Sequence, residues 1–283
     1  VLQAAHLDLC QQLLALLKLC SHARSARLRT VLAPQLTAIL DAARVLLSTP
    51  SFVAVVLSLL GDDDAYTRRK ALDILSARLT EANARALSHE EQALCVEMLP
   101  DLSRAMQPAQ EPPQRRRKRT AETERAHMDV ETAVQAVTIL ARAFAHRFAA
   151  KFIPLLDDVS AQLSESAPHS TSCYVCIATL CAALGPRAFP KLSVFLPPML
   201  QSLERAVGDT PRETPLVQCD DALLVQSVLS ALASVTSSLP NFLHPHVKRI
   251  LELLTAFAGT TSPPAIPQLV GLVLENLAKH MQP

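Results

Sequence analysis

Residues 52–79 read Phe52-Val53-Ala54-Val55-Val56-Leu57-Ser58-Leu59-Leu60-Gly61-Asp62-Asp63-Asp64-Ala65-Tyr66-Thr67-Arg68-Arg69-Lys70-Ala71-Leu72-Asp73-Ile74-Leu75-Ser76-Ala77-Arg78-Leu79. Phe52, Val55, Val56, Leu59 and Leu60 recur at three- and four-residue steps, the period of one helix face. Gly61 and an acidic turn end that helix, and Leu72, Leu75 and Leu79 carry the same period on a second one. Arg68 stands one turn before Leu72 on the second stripe, so it points inward. Its expected role is structural: to bond carboxylates and carbonyls of the turn that holds Asp62. Arg69 and Lys70 lie on other faces, where Arg69 can pair with Asp73 one turn away. Asp62, Asp63 and Asp64 precede a helix, whose N-terminal dipole favours acidic residues, and one of them can cap it. Capping is favoured over a divalent-ion site.

Working outward from this pair, the same stripe returns along the chain. Leu9, Leu13, Leu16, Leu17 and Cys20 form one face, and Leu32, Leu36, Ile39, Leu40 and Val45 another. Leu94, Met98 and Leu102 follow, then Val130, Val134, Val137, Leu140, Phe144 and Phe148. Phe152, Leu155, Leu156, Val159 and Leu163 continue the period. So do Leu192, Phe195, Met199, Leu200 and Leu203, then Val247, Ile250, Leu251 and Leu254, and last Leu269, Val270, Val273, Leu274 and Leu277. No stretch alternates with period two, so the fold class is all-α. Breaks carrying Pro, Gly or Asp divide the helices into pairs with a repeat of roughly 40 to 50 residues, the period of HEAT and armadillo arrays. An Asp in the turn and an Arg six residues on, here Asp62 and Arg68, is the HEAT spacing. The expected architecture is an α-solenoid of HEAT-type hairpins, stacked into a superhelical rod because one pair cannot bury its own apolar faces. Repeats are expected over 1–106 and 129–283, the last unit truncated, with 107–128 a basic, Pro-rich disordered loop within a repeat. The apolar stripes at both ends of such an array, Leu269 to Leu277 included, call for covering units.

Composition agrees. Hydrophobic residues make up 49% of the 283, aromatic residues only 4%, with no Trp. Leu, Val, Ile and Ala therefore build the core, as they do between helices. Five glycines that never cluster exclude a phosphate-cradling glycine loop, while 20 prolines suit punctuated helices. The formal net charge of +1 names no partner for the chain as a whole. Seven cysteines, an odd number set mostly in apolar stretches, read as reduced thiols of a nuclear or cytosolic protein. Residues 222–247 contain no Asp, Glu, Lys or Arg, yet Gln226, Ser227, Ser230, Ser234, Ser237 and Ser238 share one side, opposite Val225, Val228, Leu229, Leu232, Val235 and Leu239. That is an amphipathic helix with an uncharged polar face, and no membrane span is expected.

The stretch LSLLGDDDAYTRRKALDILSARL from Leu57 resembles the large HEAT-repeat subunit of the small-subunit processome, the tenth of the proteins associated with the U three small nucleolar RNA. Three further blocks resemble the same family in the same order: FIPLLDDVSAQL from Phe152, CIATLCAALGPRAFPKLSVFLPPMLQSL from Cys176, and VLSALASVTSSLPNFLHPHVKRIL from Val228. The resemblance covers most of Phe52 to Leu254. Val1 to Leu47 matches less clearly, and Gln107 to His127 departs from the pattern. It implies a non-catalytic nucleolar scaffold in 18S ribosomal RNA maturation, linked to transcription by RNA polymerase I. The implied partners are other processome subunits and pre-ribosomal or small nucleolar RNA. Family members are several times longer, which places this stretch in their C-terminal half. The alternative from the same repeat physics is a transport or regulatory adaptor of the karyopherin or phosphatase-scaffold kind.

No catalytic, cofactor-binding or metal-ligating residues are expected, and no small-molecule substrate. Cys173 and Cys176 form a CxxC with Cys181 nearby, but inside an apolar helix and without a second ligand pair they read as core packing. His244 and His246 lie in a proline-broken turn without a carboxylate partner and read as surface. One run has a functional edge: Arg115, Arg116, Arg117, Lys118 and Arg119, following Pro108, Pro112 and Pro113. Five adjacent cations suit a nuclear import receptor or phosphates of RNA. No aromatic residue is interleaved, so contact there would read phosphate and shape rather than bases.

Overall fold

The computed structural model describes residues 2–22, 25, 27–43, 46–107, 128–163, 170–208, 219–258 and 265–280. No strand occurs among them, and the fold is an all-α solenoid. The chain forms two compact units, Val1–Ala143 and Phe144–Pro283.

In the first unit, α1 (Leu2–His22) packs on α2 (Ala33–Ala43), and α3 (Thr49–Leu60) packs on α4 (Ala65–Arg78). The short helices α5 (Glu81–Ala86), α6 (His89–Val96) and α7 (Leu99–Met106) follow, with α6 against α3, and α8 (Val130–Phe144) comes last. The stripe that opened the sequence reading is buried in full: Phe52, Val55, Val56, Leu59 and Leu60 on α3, with Leu72, Leu75 and Leu79 from the second helix and its end. Asp64 caps α4, its carboxylate accepting from the Thr67 amide at 3.1 Å and the Thr67 hydroxyl at 2.8 Å. The stripe Leu94, Met98, Leu102 is shared by two helices rather than one. Pro100 lacks an N–H and its ring would strike the Val96 carbonyl, so α6 stops there and α7 restarts.

The second unit is two rows of helices. α10 (Leu155–Ser160), α12 (Leu192–Gly208) and α14 (Val247–Ala258) follow one another in one row; α11 (Ser170–Leu184), α13 (Cys219–Ser238) and α15 (Ala265–His280) form the other. Close packing in the second row uses small side chains: Cys173, Cys176 and Cys181 of α11 and Ala231 of α13 are fully buried. Asn276 of α15 reaches into α13, donating to the Ala233 carbonyl at 3.1 Å and the buried Thr236 hydroxyl at 3.3 Å. The continuous period across Phe152 to Leu163 is broken at Pro154, for the reason given at Pro100, into α9 (Ala149–Phe152) and α10. On α13, Val225, Val228, Leu229, Leu232 and Val235 are buried, as is Leu239 just beyond it, while Ser230 and Ser237 are exposed, the amphipathic division its sequence predicts. Residues Ser170–Val207 are long and apolar enough to cross a membrane. They are two helices of this core, separated by the short 3-10 turn Gly185–Lys191.

Two stripes divide differently from the sequence expectation. On α15, Val270, Val273 and Leu277 are already covered within the unit, where α13 and α14 pack on this helix, and Leu274 is exposed. At the other end Leu13, Leu17, Leu36 and Leu40 are buried, but Leu9, Leu16, Leu32 and Ile39 are not, and Leu19 is 70% exposed. Apolar residues of α1 and α2 therefore face water on one side. Because exposed patches of this kind drive association, the purified chain is expected to self-associate in light scattering. Leu16→Glu with Leu19→Glu should reduce that association, and a monomer at high concentration would refute it.

Candidate functional site

Arg68 ties the opening turn together. Its Nη1 donates to the carbonyl oxygens of Asp62 and Asp63, each at 2.9 Å, so it closes the turn that links α3 to α4. The carboxylate it meets is not one of the turn's own. Nη2 lies 2.7 Å from Oδ2 of Asp129, with the two side chains 19% and 44% exposed. The Asp62 carboxylate instead accepts from the Asp64 amide at 2.8 Å, tightening the turn backbone. Asp129 immediately precedes α8 and works on it as a cap, Oδ1 accepting from the Thr132 amide at 2.7 Å. Burial acts to raise the Asp129 carboxyl, but the hydrogen bonds from Thr132 and the Arg68 charge outweigh it and hold the group below the usual carboxylate range. Arg69, by contrast, is exposed.

This arrangement has a positional consequence. α7 ends at Met106 and α8 begins at Val130. Arg115 to Arg119, the run with the functional edge, therefore stands in sequence between a helix end and a helix start held by Arg68. The five residues themselves lie outside the described residues. A second cluster escaped the sequence reading although its signal, Ser88-His89-Glu90-Glu91, was present. Ser88 and Glu91 form a reciprocal capping box at the start of α6. Thr49 at the start of α3 donates to the same Glu91 carboxylate at 2.9 Å, joining α3 to α6. Arg78 lies over the Phe52 ring, 5.2 Å from its centroid.

The remaining sequence candidates fall as follows. Cys173, Cys176 and Cys181 are fully buried and in no disulfide. Burial, with a smaller contribution from Cys176, pushes Cys181 up to about 12, so it stays protonated and unreactive. His244 is exposed and His246 half-buried in the 3-10 turn His244–His246. Among the described residues no group of three or more His, Cys, Asp or Glu could hold a metal ion.

No family model matches the chain. The human HEAT repeat-containing protein 1 is 26% identical to it over 249 residues, which are 86% of this chain and 11% of that protein. The protein of the same name from Danio rerio is 24% identical over 251 residues, again 86% and 11%. The Dictyostelium discoideum homolog is 24% identical over 210 residues, 74% of this chain and 9% of its own length. The chain thus spans about a tenth of the curated relatives it matches. Among solved structures, importin beta superposes with a TM-score of 0.63 at 16% identity, over 98% of this chain and 33% of that one. A designed armadillo repeat protein in complex with the peptide (KR)4 gives 0.53 at 14% identity, over 94% and 99%. These structures share the solenoid fold, and the sequence relatives are HEAT-repeat proteins.

Proposed function

We propose that this chain is part of a non-catalytic scaffold of the nucleolar small-subunit processome, serving 18S pre-ribosomal RNA processing and RNA polymerase I transcription. The observation that carries the reading is the collinear match to HEAT repeat-containing protein 1 across 86% of the chain. It is reinforced by the four ordered blocks that resemble the processome subunit. The all-α solenoid fits a protein that works by docking other molecules on its helical surfaces. Arg115 to Arg119 would supply nuclear import or phosphate contact on this reading, and Asp62 and Arg68 its structural frame.

Affinity capture from nuclear extract with the tagged chain tests it. Recovery of small-subunit precursor RNA and early processome proteins, with the tagged chain in the nucleolus, is the expected result. Recovery of a GTPase or a phosphatase core instead would replace the processome reading with the adaptor one.

A further inference from the structure

In the second unit, the turns that lead from α8 to α9, from α11 to α12 and from α13 to α14, taken with the first residues of α9 and α14, share a composition. Residues 145–151 hold Arg147 and Lys151, residues 185–191 hold Arg187 and Lys191, and residues 239–249 hold Lys248 and Arg249. None of the three stretches contains Asp or Glu, and each contains one phenylalanine: Phe148, Phe189 and Phe242. The turns are joined in space. Arg187 Nη1 donates to the His146 carbonyl at 3.4 Å, linking the first two. The rings of Phe189 and Phe242 stack at 4.1 Å between centroids and 26° between planes, linking the second to the third. Acidic residues outside the turns hold two of the cations: Asp157 pairs with Lys191, and Glu204 with Arg249 at 2.6 Å. Lys151, Arg187 and Lys248 are exposed, the last with only a marginal 4.0 Å approach to Glu252. Phe189 is 45% exposed, although its ring is fixed by the stack.

We propose that this edge of the second unit binds single-stranded RNA, with Lys151, Arg187 and Lys248 meeting phosphates and Phe189 stacking on a base. Arg187 lies in the turn Gly185–Lys191, and Lys151 and Lys248 lie in the first turns of α9 and α14, so the three cations are set along an edge of helices that pack about 10 Å apart. An elongated anion can meet all of them, and a compact one cannot. A preoriented aromatic ring among cations is the arrangement that serves base stacking along a single strand. An acidic peptide would use the charges and leave the ring without a role. The assignment goes beyond the scaffold reading, rests on this unit's own surface, and is tested without any processome partner.

The test uses the whole chain carrying Arg115 to Arg119 replaced by Ser, which removes the competing cation run. Fluorescence anisotropy reads its affinity for a labelled oligouridine of about sixteen nucleotides. Arg187→Glu with Lys248→Glu is expected to weaken binding at low salt by about tenfold or more and to flatten its salt dependence. Phe189→Leu keeps an apolar side chain against Phe242 but removes the ring. It should weaken binding between about fivefold and a hundredfold with the salt slope unchanged, and Phe189→Tyr should restore it. Both charge reversals are at exposed positions, so they decide the matter even if Phe189→Leu lowers the melting midpoint. Unchanged affinity in the charge-reversed chain overturns the proposal. So does displacement of the RNA by oligoglutamate as effectively as by unlabelled oligouridine, which would mark an acidic-peptide surface.

Discussion

Arg68→Ala is expected to lower stability in urea by about 1–3 kcal/mol, whereas Arg69→Ala should change it by less than about 0.5 kcal/mol. The two are neighbours in sequence, but their surroundings differ. Arg68 satisfies two carbonyls of the α3–α4 turn and pairs with Asp129, and its side chain is only 19% exposed. Truncation leaves those carbonyls and the Asp129 carboxylate to find water in a half-buried site. The pair itself, with Asp129 44% exposed, is screened and supplies the smaller share of the loss. Acid titration separates the shares. Asp129 is held below the usual carboxylate range in the folded chain, so its contribution is present above that range and lost as pH falls through the lowered value. The difference between the native chain and Asp129→Asn should therefore shrink at the acid end, while part of the Arg68→Ala deficit persists there. Equal urea midpoints for Arg68→Ala and Arg69→Ala would overturn this account of the turn.

Arg68 also marks how far the sequence could be read. Period and spacing locate a residue on its own helix, which was enough to place Arg68 on the stripe of Leu72, Leu75 and Leu79 and to expect turn carbonyls as its partners. They say nothing about a residue sixty positions away, and Asp129 was invisible for that reason. The same limit applies to Phe189 and Phe242, which meet only because α11 and α13 are neighbours in one row. The helices themselves were legible because burial acts on every turn: α3 and α13 divide into buried and exposed faces as their patterns predict. Where the reading ran too long, at Phe152 to Leu163 and Leu94 to Leu102, a proline removed the backbone donor that the apolar period cannot register. Where it assigned too much to the core, as at Leu16 and Ile39, the pattern recorded that a face is apolar and not whether anything in this chain covers it.

Replacing Arg115 to Arg119 with Ser should leave the circular dichroism spectrum and melting midpoint nearly unchanged, yet weaken RNA binding strongly. Folding is indifferent because residues 107–127 offer no large apolar side chain to bury, and closing a connection costs an entropy that varies only slowly with its length. The helix start beyond them is held by Asp129, through Thr132 and Arg68. Binding is different. Each phosphate neutralised on a single strand releases close to 0.7 of a counterion, so five contacts contribute about 3.5 to the slope of log affinity against log salt. Between 50 and 200 mM salt that alone weakens binding by about a hundredfold. The Ser-substituted chain should lose this steepness and bind less tightly at low salt by a comparable factor. What salt dependence remains reports the helical surfaces, where the turns of the second unit offer fewer cations and an aromatic ring. Nuclear accumulation of the tagged chain is the companion measurement, since an import receptor would recognise the same five residues. If neither the salt slope nor accumulation moves, the run is a solvated connection, and any RNA affinity of the chain belongs to its helices and their turns.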